Sequence, residues 1–80
     1  MSERKITPLH YDTLVKIFEL DGFVVSRKKG DHIIMTKEGG KRPLVIKTSP
    51  HLVPVTHIRT NMTTSGMTRE RFFELLEEAK

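Results

Sequence analysis

The chain has 80 residues, 14 Lys and Arg against 10 Asp and Glu for a net charge of +4, and no cysteine. That length is one small domain, which buries only roughly 60% of the surface its unfolded chain exposes, and the absence of cysteine excludes disulfide staples and thiolate zinc sites. No strictly apolar run exceeds three residues, against the ~20 a membrane helix needs, and the opening MSERKITPLH lacks a secretory apolar core. A soluble cytoplasmic protein, a single domain over residues 1–80, is expected.

The first element is a helix. Thr7 can cap it, Pro8 suits its first turn and Gly22 stands where a left-handed residue would end it. His10, Tyr11, Leu14, Ile17 and Phe18 recur at three- and four-residue spacing, so they share one face, which should pack on a sheet. His10 reads as a helix-surface or core-edge residue.

Three short segments rich in β-branched and apolar residues follow: FVVSRKK, HIIMTK and PLVIK. Gly30-Asp31 separates the first pair and Glu38-Gly39-Gly40 the second, both turn chemistry, because glycine tolerates positive φ and aspartate can bond its own backbone. Two successive hairpins predict an antiparallel meander, with Pro43 opening the third strand where no amide donor is needed. Past Thr48-Ser49-Pro50 the spacing turns helical again. Pro54 can open a short helix with Val55, Ile58 and Met62 on one side, closed by Gly66. Thr68 can cap a last helix with Glu70 in its first turn and Phe72, Leu75, Leu76 and Ala79 as its core stripe. The expected fold is α+β: an α-β-β-β-α order with an additional C-terminal helix, a three-stranded antiparallel sheet with helices on one face and the other face wet.

Charge is not spread evenly over this plan. Residues 27–47 set Arg27, Lys28, Lys29, Lys37, Lys41, Arg42 and Lys47 against Asp31 and Glu38, a surplus of five cations, while the flanking segments nearly balance. Such clustering is the footprint expected of a phosphate-backbone partner. A lysine-rich sheet edge that discourages aggregation would look the same.

Nucleotide-binding and zinc-protease signatures are absent from the chain. Glu74, Glu77 and Glu78 fall at the spacing of a solvated helix face, and His51 and His57, with a proline between them, do not make a metal pair. His32 is different. An imidazole of pKa ~6.5 exchanges protons near neutrality, and this one follows a glycine turn within five residues of Arg27, Lys28 and Lys29. RNA carries its own nucleophile in the 2′-hydroxyl, so strand scission needs only an acid or base beside it and cations for the charge that develops on phosphorus. A plain strand residue remains the other reading of His32.

The segments DGFVVSRKKGDHIIMTKEGGKRPLVI and VPVTHIRTNMTTSGMTRERFFELLEEA together resemble the HicA (YcfA-like) family of toxin–antitoxin systems. The resemblance runs from about Ile6 to Ala79 and rests on the Gly-x-His turn at Gly30, Asp31 and His32, on Gly22-Phe23, and on Pro54, Ile58 and Arg59 at the helix start. It implies a double-stranded-RNA-binding-domain-like fold, a cytoplasmic endoribonuclease acting on messenger RNA with His32 catalytic, no metal or small-molecule cofactor, and a HicB-family antitoxin as partner. Under it Arg27, Lys28, Lys29, Gly30, Lys37 and Lys47 become the candidate RNA contacts. Many members carry a small polar residue where this chain has Asp31. An aspartate there could favour the protonated imidazole but would also repel phosphate, and because neighbouring strand side chains face opposite sides, serving the turn is its other role. Two further readings stay open, a non-catalytic RNA-binding module and an interaction domain whose basic face serves only its partner.

Overall fold

The computed structural model describes residues 5–40 and 42–80, in the order α1 (Tyr11–Leu20), β1 (Val24–Lys29), β2 (His32–Thr36), β3 (Leu44–Lys47), α2 (Val55–Ser65) and α3 (Arg69–Ala79). The α+β order is the expected one, additional helix included. Lys41, one of the seven cations of the basic segment, lies outside the described residues.

The strands form one antiparallel sheet in the order β1-β2-β3. Strand alternation sorts its two faces: Ile33, Met35, Leu44 and Ile46 are buried, while His32, Val45 and Lys47 are exposed. The buried set joins Leu14, Ile17 and Phe18 of α1, Ile58 and Met62 of α2, and Phe72, Leu75 and Leu76 of α3 in one core. Each such side chain contributes about 1.5–3 kcal/mol by leaving water. Helix α1 packs on α3 and on the sheet, and α2 flanks β3.

The start of α1 differs from expectation. Thr7 and Pro8 precede the helix; the cap is His10, whose Nδ1 accepts a hydrogen bond from the Asp12 amide at 3.2 Å. The reason is tertiary. Leu9 is held extended by a two-bond bridge to Val53, 3.3 Å from Leu9 N to Val53 O and 2.6 Å in return, so the chain cannot turn helical until His10. This bridge also fixes the entry to α2.

At the other end of α1, Gly22 adopts φ 101° and the Phe23 amide returns to the Phe18 carbonyl, a closure that only glycine makes without strain. Asp21 beside it ties three elements together: its carboxylate lies 3.7 Å from Lys37 Nζ and 3.4 Å from Arg71 Nε of α3.

Strand β1 carries a bulge at Ser26, between the pairs Val25↔Met35 and Arg27↔Ile34. The extra residue changes which side chains face the helices. Val25 and Lys28, opposite Met35 and Ile33, lie on the helix side, and Arg27 and Lys29, opposite Ile34 and His32, lie on the wet side.

Candidate active site

Turn chemistry places His32. Lys29 pairs with His32 across a two-residue hairpin loop, and of Gly30 and Asp31 only Gly30 has positive φ, 57°. That is the backbone pattern of a type II′ turn, whose first central position wants glycine. The loop is pinned from the far side. Thr48, just past β3, directs both its amide (2.7 Å) and its hydroxyl (3.0 Å) to the Asp31 carbonyl. The first residue of β2 is therefore held from both neighbouring strands.

Beside it the Asp31 carboxylate lies 3.0 Å from His32 Nδ1. Of the two roles open to Asp31, its carboxylate thus lies beside the imidazole, because a residue in the loop, not in the strand, is free of the strand's alternation. A proton on Nδ1 would face this carboxylate, which would leave Nε2 as the nitrogen available to a substrate. The imidazole is 46% exposed and its partner 57%. It is thus open to a substrate rather than sealed in the core.

The sheet register delivers the cations. His32 pairs with Lys29 on one side and Lys47 on the other, so Lys29, His32 and Lys47 form one row across three strands on the wet face. Directly opposed residues in an antiparallel pair have Cβ atoms about 4.5–5.5 Å apart. One residue along, Arg27, Ile34 and Val45 make the next row.

The remaining candidates separate. Lys28 is on the helix side by register, lining a hollow that it shares with Gly30 and His32 and with Asp12 and Glu19 of α1, whose carboxylates oppose a phosphate there. Lys37 lies at the other end of β2, its ammonium 3.7 Å from Asp21 and 5.6 Å from the Phe23 ring centroid. Gly30 forms the turn itself. Arg27, Lys29 and Lys47 thus share the wet face with His32, Lys28 meets it in the hollow beside α1, and Lys37 is apart from it.

Where β3 meets α2, a groove of about 230 Å³ runs beside His32, lined also by Val45, Lys47, His57, Thr60 and Asn61. His57, Thr60 and Asn61 fall at helical i, i+3 and i+4 spacing and so share one face of α2. Asn61 is the buried polar residue of the described chain, 7% exposed. Reading the sequence as separate elements missed His57: its signal was only a histidine in the first turn of a helix, and what brings it to His32 is the return of α2 along β3. Among the described residues no cluster of three His, Cys, Asp or Glu could hold a metal ion, and no helix is long and apolar enough to cross a membrane.

A family model described as the HicA toxin of bacterial toxin–antitoxin systems matches residues 11–59. The match takes in α1, the whole sheet and α2 as far as Arg59. No curated protein matches the chain.

Proposed function

The chain belongs to the HicA toxins of bacterial toxin–antitoxin systems, and from that premise we propose that it is an endoribonuclease whose general base is His32. Membership makes it the toxin of a pair that includes an antitoxin. The finer reading has three parts: the substrate is messenger RNA, cleavage uses the RNA's own 2′-hydroxyl, and the antitoxin is of the HicB family.

One observation carries it. A half-exposed imidazole, with the Asp31 carboxylate 3.0 Å from its Nδ1, stands in register between two lysines on an open sheet face. In the reaction Nε2 of His32 takes the proton of a 2′-hydroxyl as its oxygen attacks the adjacent phosphorus. Lys29 and Lys47 hold the phosphate and offset the charge that grows on its non-bridging oxygens. Arg27 extends the cationic track by one row. The same exposed row supplies a reason for the antitoxin to bind here, since a partner of opposite potential would both find and cover it.

The test is expression of the wild type and His32→Ala in parallel, following growth and transcript length. The reading predicts growth arrest with shortened transcripts for the wild type alone. Intact transcripts in both cultures, with equal RNA binding by the two proteins, would favour a non-catalytic RNA-binding module. No RNA binding at low salt would favour a domain whose basic face serves only its partner.

A further inference from the structure

Scission by a 2′-hydroxyl has two proton transfers, and His32 accounts for one. The oxygen that leaves, the 5′-oxygen of the next nucleotide, departs as an alkoxide unless it is protonated as the P–O bond breaks. Resting on the nuclease reading above, we infer that His57 is the general acid that supplies this proton.

His32 and His57 line the same cleft from opposite walls, β2 with β3 on one side and α2 on the other, and Lys47 lies in it with them. Its volume of about 230 Å³ is below the ~300–1,000 Å³ of a pocket that engulfs a small molecule. It therefore suits one sugar–phosphate step of a longer chain that enters and leaves over the wet face. A phosphate beside Lys47 would have the two imidazoles on two sides, as an in-line displacement requires, with the attacking oxygen by one ring and the departing oxygen by the other.

The two rings differ in a way that assigns the roles. His32 has the Asp31 carboxylate 3.0 Å from Nδ1, so a proton carried there has a partner and Nε2 is the nitrogen left to face a 2′-hydroxyl. Among the described residues His57 has no carboxylate within ion-pair distance; the groups facing it are His32 from β2, Lys47 from β3 and, in an adjoining hollow, His51 from the segment before α2. Asn61, one turn beyond His57 on the same helix face, offers a carboxamide at the groove wall for a sugar hydroxyl or phosphate oxygen.

The step balances without a metal or co-reactant. The 2′-oxygen loses its proton to His32 Nε2 and bonds to phosphorus; the P–O5′ bond breaks and O5′ takes a proton from His57. The products are a 2′,3′-cyclic phosphate and a 5′-hydroxyl. Exchange of the two rings' protons through water resets the site.

The test pairs two RNA substrates of one sequence, one natural and one with sulfur replacing the 5′-bridging oxygen at the scissile position, because a thiolate leaves without protonation. On natural RNA, His57→Ala is expected to cut about 10²–10³-fold more slowly than wild type, the range of a lost acid–base group, and on the sulfur substrate it should return to near the wild-type rate. His32→Ala should be slow on both. If His57→Ala matches wild type on natural RNA while His32→Ala does not cut, this inference fails and the nuclease reading stands; if wild type cuts neither substrate, both fail. Equal losses on the two substrates, with folding intact by thermal unfolding, would make His57 a binding residue and overturn its role as acid. Recovery of this kind in His51→Ala instead would move the role to His51 and overturn it equally.

Discussion

Replacing Lys29, Lys47 and Lys37 one at a time removes the same charge from three places, and the fold predicts unequal results. Lys29 and Lys47 flank His32 in register on the wet face, whereas Lys37 lies five residues along from His32, roughly 16 Å at the ~3.3 Å rise of a strand. That exceeds the ~8 Å Debye length at physiological salt, and its ammonium is already beside Asp21. Each lysine that neutralises one phosphate of single-stranded RNA should contribute about 0.7 to the slope of log K against log salt. At ~0.15 M salt, loss of one such contact lowers affinity roughly fourfold and loss of two roughly fourteenfold, if counterion release is the whole effect. The assay is binding of a short RNA, which is cut too slowly to interfere when every variant also carries His32→Ala, titrated at several salt concentrations. Lys29→Ala and Lys47→Ala should each flatten the slope, the pair additively, and Lys37→Ala should leave it unchanged. A slope flattened as much by Lys37→Ala as by Lys29→Ala would refute the strand row as the phosphate track.

Asp31→Asn keeps the loop but replaces the acceptor at Nδ1, and should lower the maximal cleavage rate on the order of tenfold at unchanged RNA affinity, well short of the ~10⁴ seen for a buried triad carboxylate, because this pair is half-exposed. An unchanged rate in single-turnover assays would mean the carboxylate does not orient the ring. Gly30→Ala meets no atom within 4 Å of the new Cβ, so its cost should be confined to the positive φ, about 1–3 kcal/mol in urea unfolding; no measurable loss would contradict the turn geometry. Thr68→Ala removes the acceptor for the Arg71 amide, 3.1 Å away at the start of α3, and should cost about 1 kcal/mol by the same measurement without altering cleavage.

The elements were legible where local chemistry decides them. The glycines at 22, 30 and 66 end or turn the chain as their neighbours suggest, all at positive φ, and the stripes Leu14-Ile17-Phe18 and Phe72-Leu75-Leu76 are buried as their spacing implies. His32 at the head of β2 could be read from the turn before it. What could not be read depends on contacts between distant segments. The Thr7-Pro8 pair looks like a helix start, yet the Leu9–Val53 bridge delays the helix to Tyr11. Arg27, Lys28 and Lys29, three basic residues in an unbroken run, look equivalent until pairing sorts them, with Lys29 set beside His32 in the wet-face row and Lys28 turned toward α1. Asp31 reaches its neighbour because it sits in the loop, and His57 joins the groove only once α2 lies along β3.

In the proposed reaction one exposed imidazole in a row of cations moves the proton of a ribose hydroxyl. Its most direct measurement uses purified wild type on an RNA with a single 2′-deoxy nucleotide at the mapped cleavage position, beside the all-ribose RNA and the His32→Ala protein. The account predicts equal binding throughout, cleavage of the all-ribose strand by wild type only, and no scission at the deoxy position. Cleavage at the deoxy position, or undiminished cleavage by His32→Ala, would contradict it.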